Sequence, residues 1–150
     1  MHPFSDDPQR SLVLGGVEFH GERGLEGHSD ADVIAHAVSD AMLGAAGLGD
    51  IGMHFPDTDD RWRGADSLVL LSEVARRIQA AGFRLVNADC TVVAERPRIV
   101  VAREDMITKL SAAACGPVHV KATRPERLGA LGRVEGIACW AVASIEEVEP

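Results

Sequence analysis

Apolar residues recur along this chain at two periods, and the switches between them predict its elements. Leu12 to Phe19 reads as a strand pair broken at Gly15-Gly16. From Asp32 to Leu48, residues Val33, Ile34, Ala37, Val38, Ala41, Met42 and Ala45 repeat with the spacing of a helix, which Gly49 ends. Asp50 to Ala65 is rich in Gly, Pro and Asp and reads as a long loop, the kind that a small domain keeps for function. Ser67 to Ala81 is a second helix, with Leu70, Leu71, Val74, Ala75 and Ile78 inward and Gly82 as its stop. Arg84 to Ala94 is a strand. Pro97 introduces a third helix, Arg98 to Cys115, closed by Gly116-Pro117. Val118 to Thr123 alternates as a strand. Arg124 to Gly132 is a loop, and Val134 to Ile145 is the last strand.

Later strands joined through helices predict an α/β (α+β) fold. We expect one domain over residues 1–150, close to the ferredoxin-like arrangement, with a sheet covered by helices on one face. The other face of Val118–Thr123 is then free for a partner, so an oligomer is plausible. The chain is 46% hydrophobic and has four Phe, two Trp and no Tyr, so its core must be aliphatic. A net charge of −8 argues against a nucleic-acid partner, because counterion displacement from phosphates needs a basic face. It also means that any bound polyanion must be held by local devices such as a metal, a helix N-terminus or a few arginines. No apolar run is long enough to span a bilayer and no leader is visible, so a cytoplasmic, membrane-free protein is expected. Cys90, Cys115 and Cys139 lie far apart, with no zinc spacing and no disulfide framework.

The most informative stretch is Gly27 to Asp40. Ser29 is a candidate N-cap, with Asp32 three residues on in a variant of the capping box. His28 sits just before a helix start, where N–H groups attract anions, and is placed to contact a phosphate. On a helix, Asp32, His36 and Asp40 fall together opposite the apolar half. Two readings stand open. The three are a solvated face with weak ion pairing, or His36 is a metal ligand held by a neighbouring carboxylate.

A longer set of residues carries a resemblance. It begins with His28-Ser29-Asp30-Ala31-Asp32 through His36, then Asp40 to Ala46, Leu48 to Gly52, and Phe55 to Asp59. It continues with Gly64 to Ser67, Asn87 with Asp89, Pro97-Arg98, Lys121 to Thr123, Glu126, Leu128-Gly129 and Glu135 to Ala138. In this order they closely resemble the 2-C-methyl-D-erythritol 2,4-cyclodiphosphate synthase family, over nearly the whole chain.

The resemblance implies a homotrimer of ferredoxin-like subunits with active sites between neighbours. It implies a metal-dependent phosphorus–oxygen lyase of the non-mevalonate isoprenoid pathway. The substrate would be 4-diphosphocytidyl-2-C-methyl-D-erythritol 2-phosphate, cyclised with release of CMP. The cofactors implied are Zn²⁺, or another divalent transition metal, and Mg²⁺ or Mn²⁺ on the diphosphate. By position, His2 and His36 resemble zinc ligands and Glu126 the Mg²⁺ ligand. His28 and Ser29 resemble phosphate contacts. Asp50, Ile51 and Gly52 resemble contacts to substrate hydroxyls. Phe55, Pro56, Asp57, Thr58 and Asp59 resemble the loop over the methylerythritol unit. Ala94, Glu95, Arg96, Pro97, Arg98, Ile99 and Val100 resemble the cytosine pocket. Thr123, Arg124, Pro125 and Glu126 match the diphosphate loop, with His28 and Arg124 as candidate catalytic groups. Ala130 follows that loop, and Arg133 matches a charged residue near the trimer axis.

Some positions depart from the family pattern. The family's first zinc ligand, an Asp two residues before the His, would fall before Met1, as would most of the first strand. The usual Lys-Ala-Thr-Thr-Thr-Glu reads Lys121-Ala122-Thr123-Arg124-Pro125-Glu126. Ala130 and Leu131 replace a Phe-Thr, and Val134 replaces a Gly. A synthase is the leading expectation. The alternative is a non-catalytic trimeric relative that binds a cytidine nucleotide or an isoprenoid diphosphate.

Overall fold

The computed structural model describes residues 1–148. Its strands are β1 (His2–Pro3), β2 (Leu12–Leu14), β3 (Val17–Phe19), β4 (Phe83–Val93), β5 (Val118–Thr123) and β6 (Gly136–Glu147). Its helices are α1 (Val33–Ala45), α2 (Ile51–His54), α3 (Ser67–Ala80), α4 (Arg103–Ala114) and α5 (Gly129–Gly132). A four-stranded sheet runs in the order β1-β6-β4-β5, and β2 and β3 form a separate hairpin.

The layering follows the alternation in the strands. Ala88, Cys90 and Val92 of β4, Val118 and Val120 of β5, and Ile137 of β6 are buried. They meet α1, α3 and α4, which pack on that face. Leu70, Leu71, Val74, Ala75 and Ile78 of α3 are all buried, as their spacing predicts. On the opposite face, Trp140 and Val142 are 56% and 75% exposed. Thr91 pairs with Trp140 and Asp89 with Val142 across the antiparallel β4–β6 ladder.

Several boundaries differ from the expectation. The sheet is mixed, whereas a split-βαβ ferredoxin-like sheet is antiparallel throughout. β4 and β5 are parallel neighbours, because strands joined by one helix tend to lie side by side. The loop over 50–65 contains α2 and a 3-10 turn, Asp60–Trp62. The third helix begins as a 3-10 turn, Ile99–Ala102, before α4. Residues Gly129–Gly132 are helical, Val134 takes a left-handed φ of 61°, and β6 begins after it at Gly136. The buried stripe of α1 includes Ala35, Ser39 and Leu43, while Ala37, Ala41 and Ala45 lie toward its edge or in solvent.

Two glycine sites position the rest. Gly15 and Gly16 have φ of 57° and 72°, the two positive values that a tight two-residue hairpin turn needs. A Cβ on Gly15 would lie 2.8 Å from Met106. At Gly136 a Cβ would overlap the His2 carbonyl, so a glycine lets β1 pair with the start of β6, Pro3 opposite Gly136.

Candidate functional site

Pairing of β1 with β6 brings the second residue of the chain to the first turn of α1. His2 Nε2 lies 3.1 Å from His36 Nδ1. On its other side His36 Nε2 meets Ser67 Oγ at 2.9 Å and Ser29 Oγ at 3.2 Å. Ser67 Oγ donates to Asp30 Oδ1, and the Ser67 amide donates to Asp30 Oδ2 at 3.1 Å. Burial, reinforced by the neighbouring His2, pulls the His36 pKa down to about 4. Burial also lowers that of His2. Both shifts favour the neutral ring, the form in which imidazole binds metals.

The nitrogen spacing fits one metal. Zinc with nitrogen ligands at 2.0–2.1 Å in a tetrahedron sets neighbouring ligands ~3.3 Å apart. His2 and His36 can supply two donors of that kind. Among the described residues, no group of three or more His, Cys, Asp or Glu side chains is placed to hold a metal.

Around this pair is a cleft of about 280 Å³, lined also by His28, Ser29, Ile51, Gly52, Phe55, Asp57, Trp62 and Leu70. His28 Nε2 contacts the Asp59 carbonyl at 3.1 Å. Phe55 packs edge-on against Trp62 at 5.0 Å between centroids. The loop carrying His28 and Ser29 is pinned from behind. Arg10 donates to the carbonyls of Leu25, Gly27 and Ser29.

Two expectations about α1 are corrected. Asp32, not Ser29, is the N-cap; its carboxylate accepts from the amides of Ile34 and Ala35. It also accepts from Gly15 N at 2.9 Å and Gly16 N at 2.7 Å. Asp32 is fully buried and so is not on a polar face with His36. Four donors of two segments converge on it, and a carboxylate satisfies more of them than the Ser29 hydroxyl could. Asp40 is exposed and accepts from Ile51 N at 2.8 Å, which ties α2 to α1 rather than holding His36. Asp50 caps α2 through Met53 N at 2.9 Å.

A second cleft, about 1070 Å³, is lined by Ala94, Glu95, Arg96, Pro97, Arg98, Ile99, Val100, Thr123, Arg124 and Glu126 of the expected set, with Arg103. Arg124 is held by Glu95 at 2.5 Å, and this hydrogen bond keeps the Glu95 carboxyl below its ordinary range. Glu126 has a left-handed φ of 51° at an exposed position. Among the described residues, none lines both clefts. Asp50, Pro56, Thr58, Asp59, Pro125, Ala130 and Arg133 line neither, and Arg133 pairs with Glu135 at 2.6 Å.

Asp30, Ser67 and Arg10 take roles here that the sequence pattern does not announce. Asp30 and Ser67 are 37 residues apart, and periodicity carries no signal over that separation.

Residues 1–146 match the YgbB family. The chain is 57% identical over 150 residues to a 2-C-methyl-D-erythritol 2,4-cyclodiphosphate synthase of Rubrobacter xylanophilus, covering 97% of this chain and 90% of that protein. It is 55% identical over 150 residues to a bifunctional IspD/IspF enzyme of Anaeromyxobacter, covering 98% of this chain and spanning only 38% of that enzyme's length. The solved structure of IspF from Plasmodium falciparum in complex with CDP superimposes with a TM-score of 0.83 at 29% identity, covering 99% of this chain and 92% of that one.

Proposed function

The chain belongs to the YgbB family, that of the 2-C-methyl-D-erythritol 2,4-cyclodiphosphate synthases, and from that premise we propose that it cyclises 4-diphosphocytidyl-2-C-methyl-D-erythritol 2-phosphate. An oxygen of the 2-phosphate bonds to the β-phosphorus. The bond from that phosphorus to the oxygen bridging it to the α-phosphorus breaks, and CMP leaves with that oxygen. The reaction is a lyase step on phosphorus, and we place it in the cytoplasm.

The observation that carries the reading is the close His2–His36 pair set beside the residues that lead into α1. The physical demand is to bring two anionic groups together. His28 and Ser29 hold the phosphate end, while Ile51, Gly52, Phe55 and Asp57 enclose the methylerythritol unit. The second cleft takes the cytidine, as the CDP complex of the Plasmodium protein suggests. There Ala94 to Val100 frame the base and Thr123 to Glu126 the diphosphate. Zinc at His2 and His36, and Mg²⁺ or Mn²⁺ at the Glu126 carboxylate, would neutralise and orient the phosphoryl oxygens.

The two clefts belong to one reaction if neighbouring chains pair the His cleft of one with the nucleotide cleft of the next. A homotrimer does this. The sheet face bearing Trp140 and Val142 is the apolar surface it would cover.

The test is direct. The protein is supplied with the substrate, Zn²⁺ and Mg²⁺, and phosphorus NMR follows the cyclic diphosphate and CMP. CMP binding without turnover would replace this proposal with the non-catalytic alternative.

A further inference from the structure

Ser67 has one proton to give. It gives it to Asp30, whose two carboxylate oxygens receive the Ser67 hydroxyl and the Ser67 amide. Toward His36 the Ser67 oxygen can therefore only accept. His36 Nε2, 2.9 Å away, must be the donor. A neutral imidazole carries one proton, so Nδ1 is left bare, and Nδ1 is the atom turned toward His2.

The anchor is rigid. Ser67 is 1% exposed at the start of α3. Asp30 is fixed by its amide to the Ala65 carbonyl at 3.0 Å. Ser29 Oγ also reaches Nε2, at 3.2 Å, and accepts the Ala31 amide at 3.2 Å. It has no carboxylate behind it, and its own proton points to Ser67 Oγ at 3.4 Å, which has none left to give, so it does not by itself choose a tautomer.

We infer that Asp30, acting through Ser67, is a positioning residue that locks His36 in the Nε2–H tautomer and presents its Nδ1 lone pair to the cleft. This rests on the proposed metal role of His36 only for its consequence, since the tautomer exists without any metal. A carboxylate behind a ligand histidine makes the ligand a better donor and fixes its ring.

Two measurements separate the relay from the metal reading. Nitrogen-15 NMR of the imidazoles in metal-free protein at pH 7.5 should show His36 protonated at Nε2 alone in the wild type. Ser67→Ala and Asp30→Asn should give mixed tautomers, and Ser67→Thr should restore the single one. Competition with a chelator should show Co²⁺ held about 10–100-fold more weakly by Ser67→Ala and Asp30→Asn, again with recovery in Ser67→Thr. A wild-type His36 protonated at Nδ1, or a Ser67→Ala variant with an unchanged tautomer, would overturn the relay. Wild-type protein with the expected tautomer but no Co²⁺ affinity would uphold the relay and remove the metal reading.

Discussion

His2 and His36, 34 residues apart, face each other nitrogen to nitrogen at 3.1 Å. One ring comes from the edge strand β1 and the other from the first turns of α1, so their meeting depends on the sheet being assembled. His36→Ala and His2→Ala should each weaken divalent metal binding and turnover by more than about 100-fold. Both variants should keep their circular dichroism spectrum. Metal content after dialysis checks this, and wild-type content in His36→Ala would end the ligand role.

The nucleotide and His clefts can be tested as halves from different chains. His36→Ala disables one half and Glu126→Gln the other. Coexpressed and mixed at random, they should regain about a quarter of wild-type activity, because one neighbour pairing in four joins two intact halves around a cyclic trimer. Activity no higher than that of the separate variants would place both clefts of each site within one chain.

Val142→Asp puts a charge on the exposed sheet face opposite Asp89. If that face is the trimer contact, the variant should run as a monomer in light scattering and lose turnover together with assembly. Like charges directly opposite on neighbouring strands also destabilise a sheet, by up to about 1 kcal/mol. Trp140→Ser is therefore the uncharged control and should weaken the trimer with less effect on the fold.

Asp32 gives a pH signature. Burial outweighs its four N–H donors and raises its pKa from 3.8 to about 6. Between those values the folded chain holds a proton that the unfolded chain has released. The stability this contributes is fully present below pH 3.8 and is lost as pH rises through about 6. The amount is on the order of 2–3 kcal/mol. His36 acts in the opposite sense. Its folded pKa of about 4 lies below its ordinary 6.5, so its contribution is present above 6.5 and lost as pH falls through about 4. Comparing wild type with Asp32→Asn cancels the His36 part. Urea melts should show the stability difference shifting against the wild type from pH 4 to 6, and a constant difference would contradict the burial argument.

Val134 carries a β-branched side chain at φ 61°, where a Cβ crowds the following carbonyl at a cost of about 1–2 kcal/mol. Val134→Gly removes that strain but adds unfolded-chain entropy of about 0.5–1 kcal/mol. A small net gain is expected, seen as a melting temperature a few degrees higher. A lower melting temperature would mean that Val134 packing outweighs the strain.

How much was legible in the sequence depended on range. Local periodicity fixed α3 and its five inward residues, the span of β5 and most of β4, because each pattern reports burial of one face within one element. The ordered motifs from His28 to Ala138 were enough to bring out the family resemblance. Tertiary structure alone decided what Asp32 is for, since two of its donors, Gly15 and Gly16, lie in a distant hairpin turn. It alone set β4 beside β5 in parallel, joined Asp30 to Ser67, and separated the two clefts. These are contacts between segments remote along the chain. Buried amides and carboxylates must find partners wherever packing brings them, and no repeat in a single strand or helix records that choice.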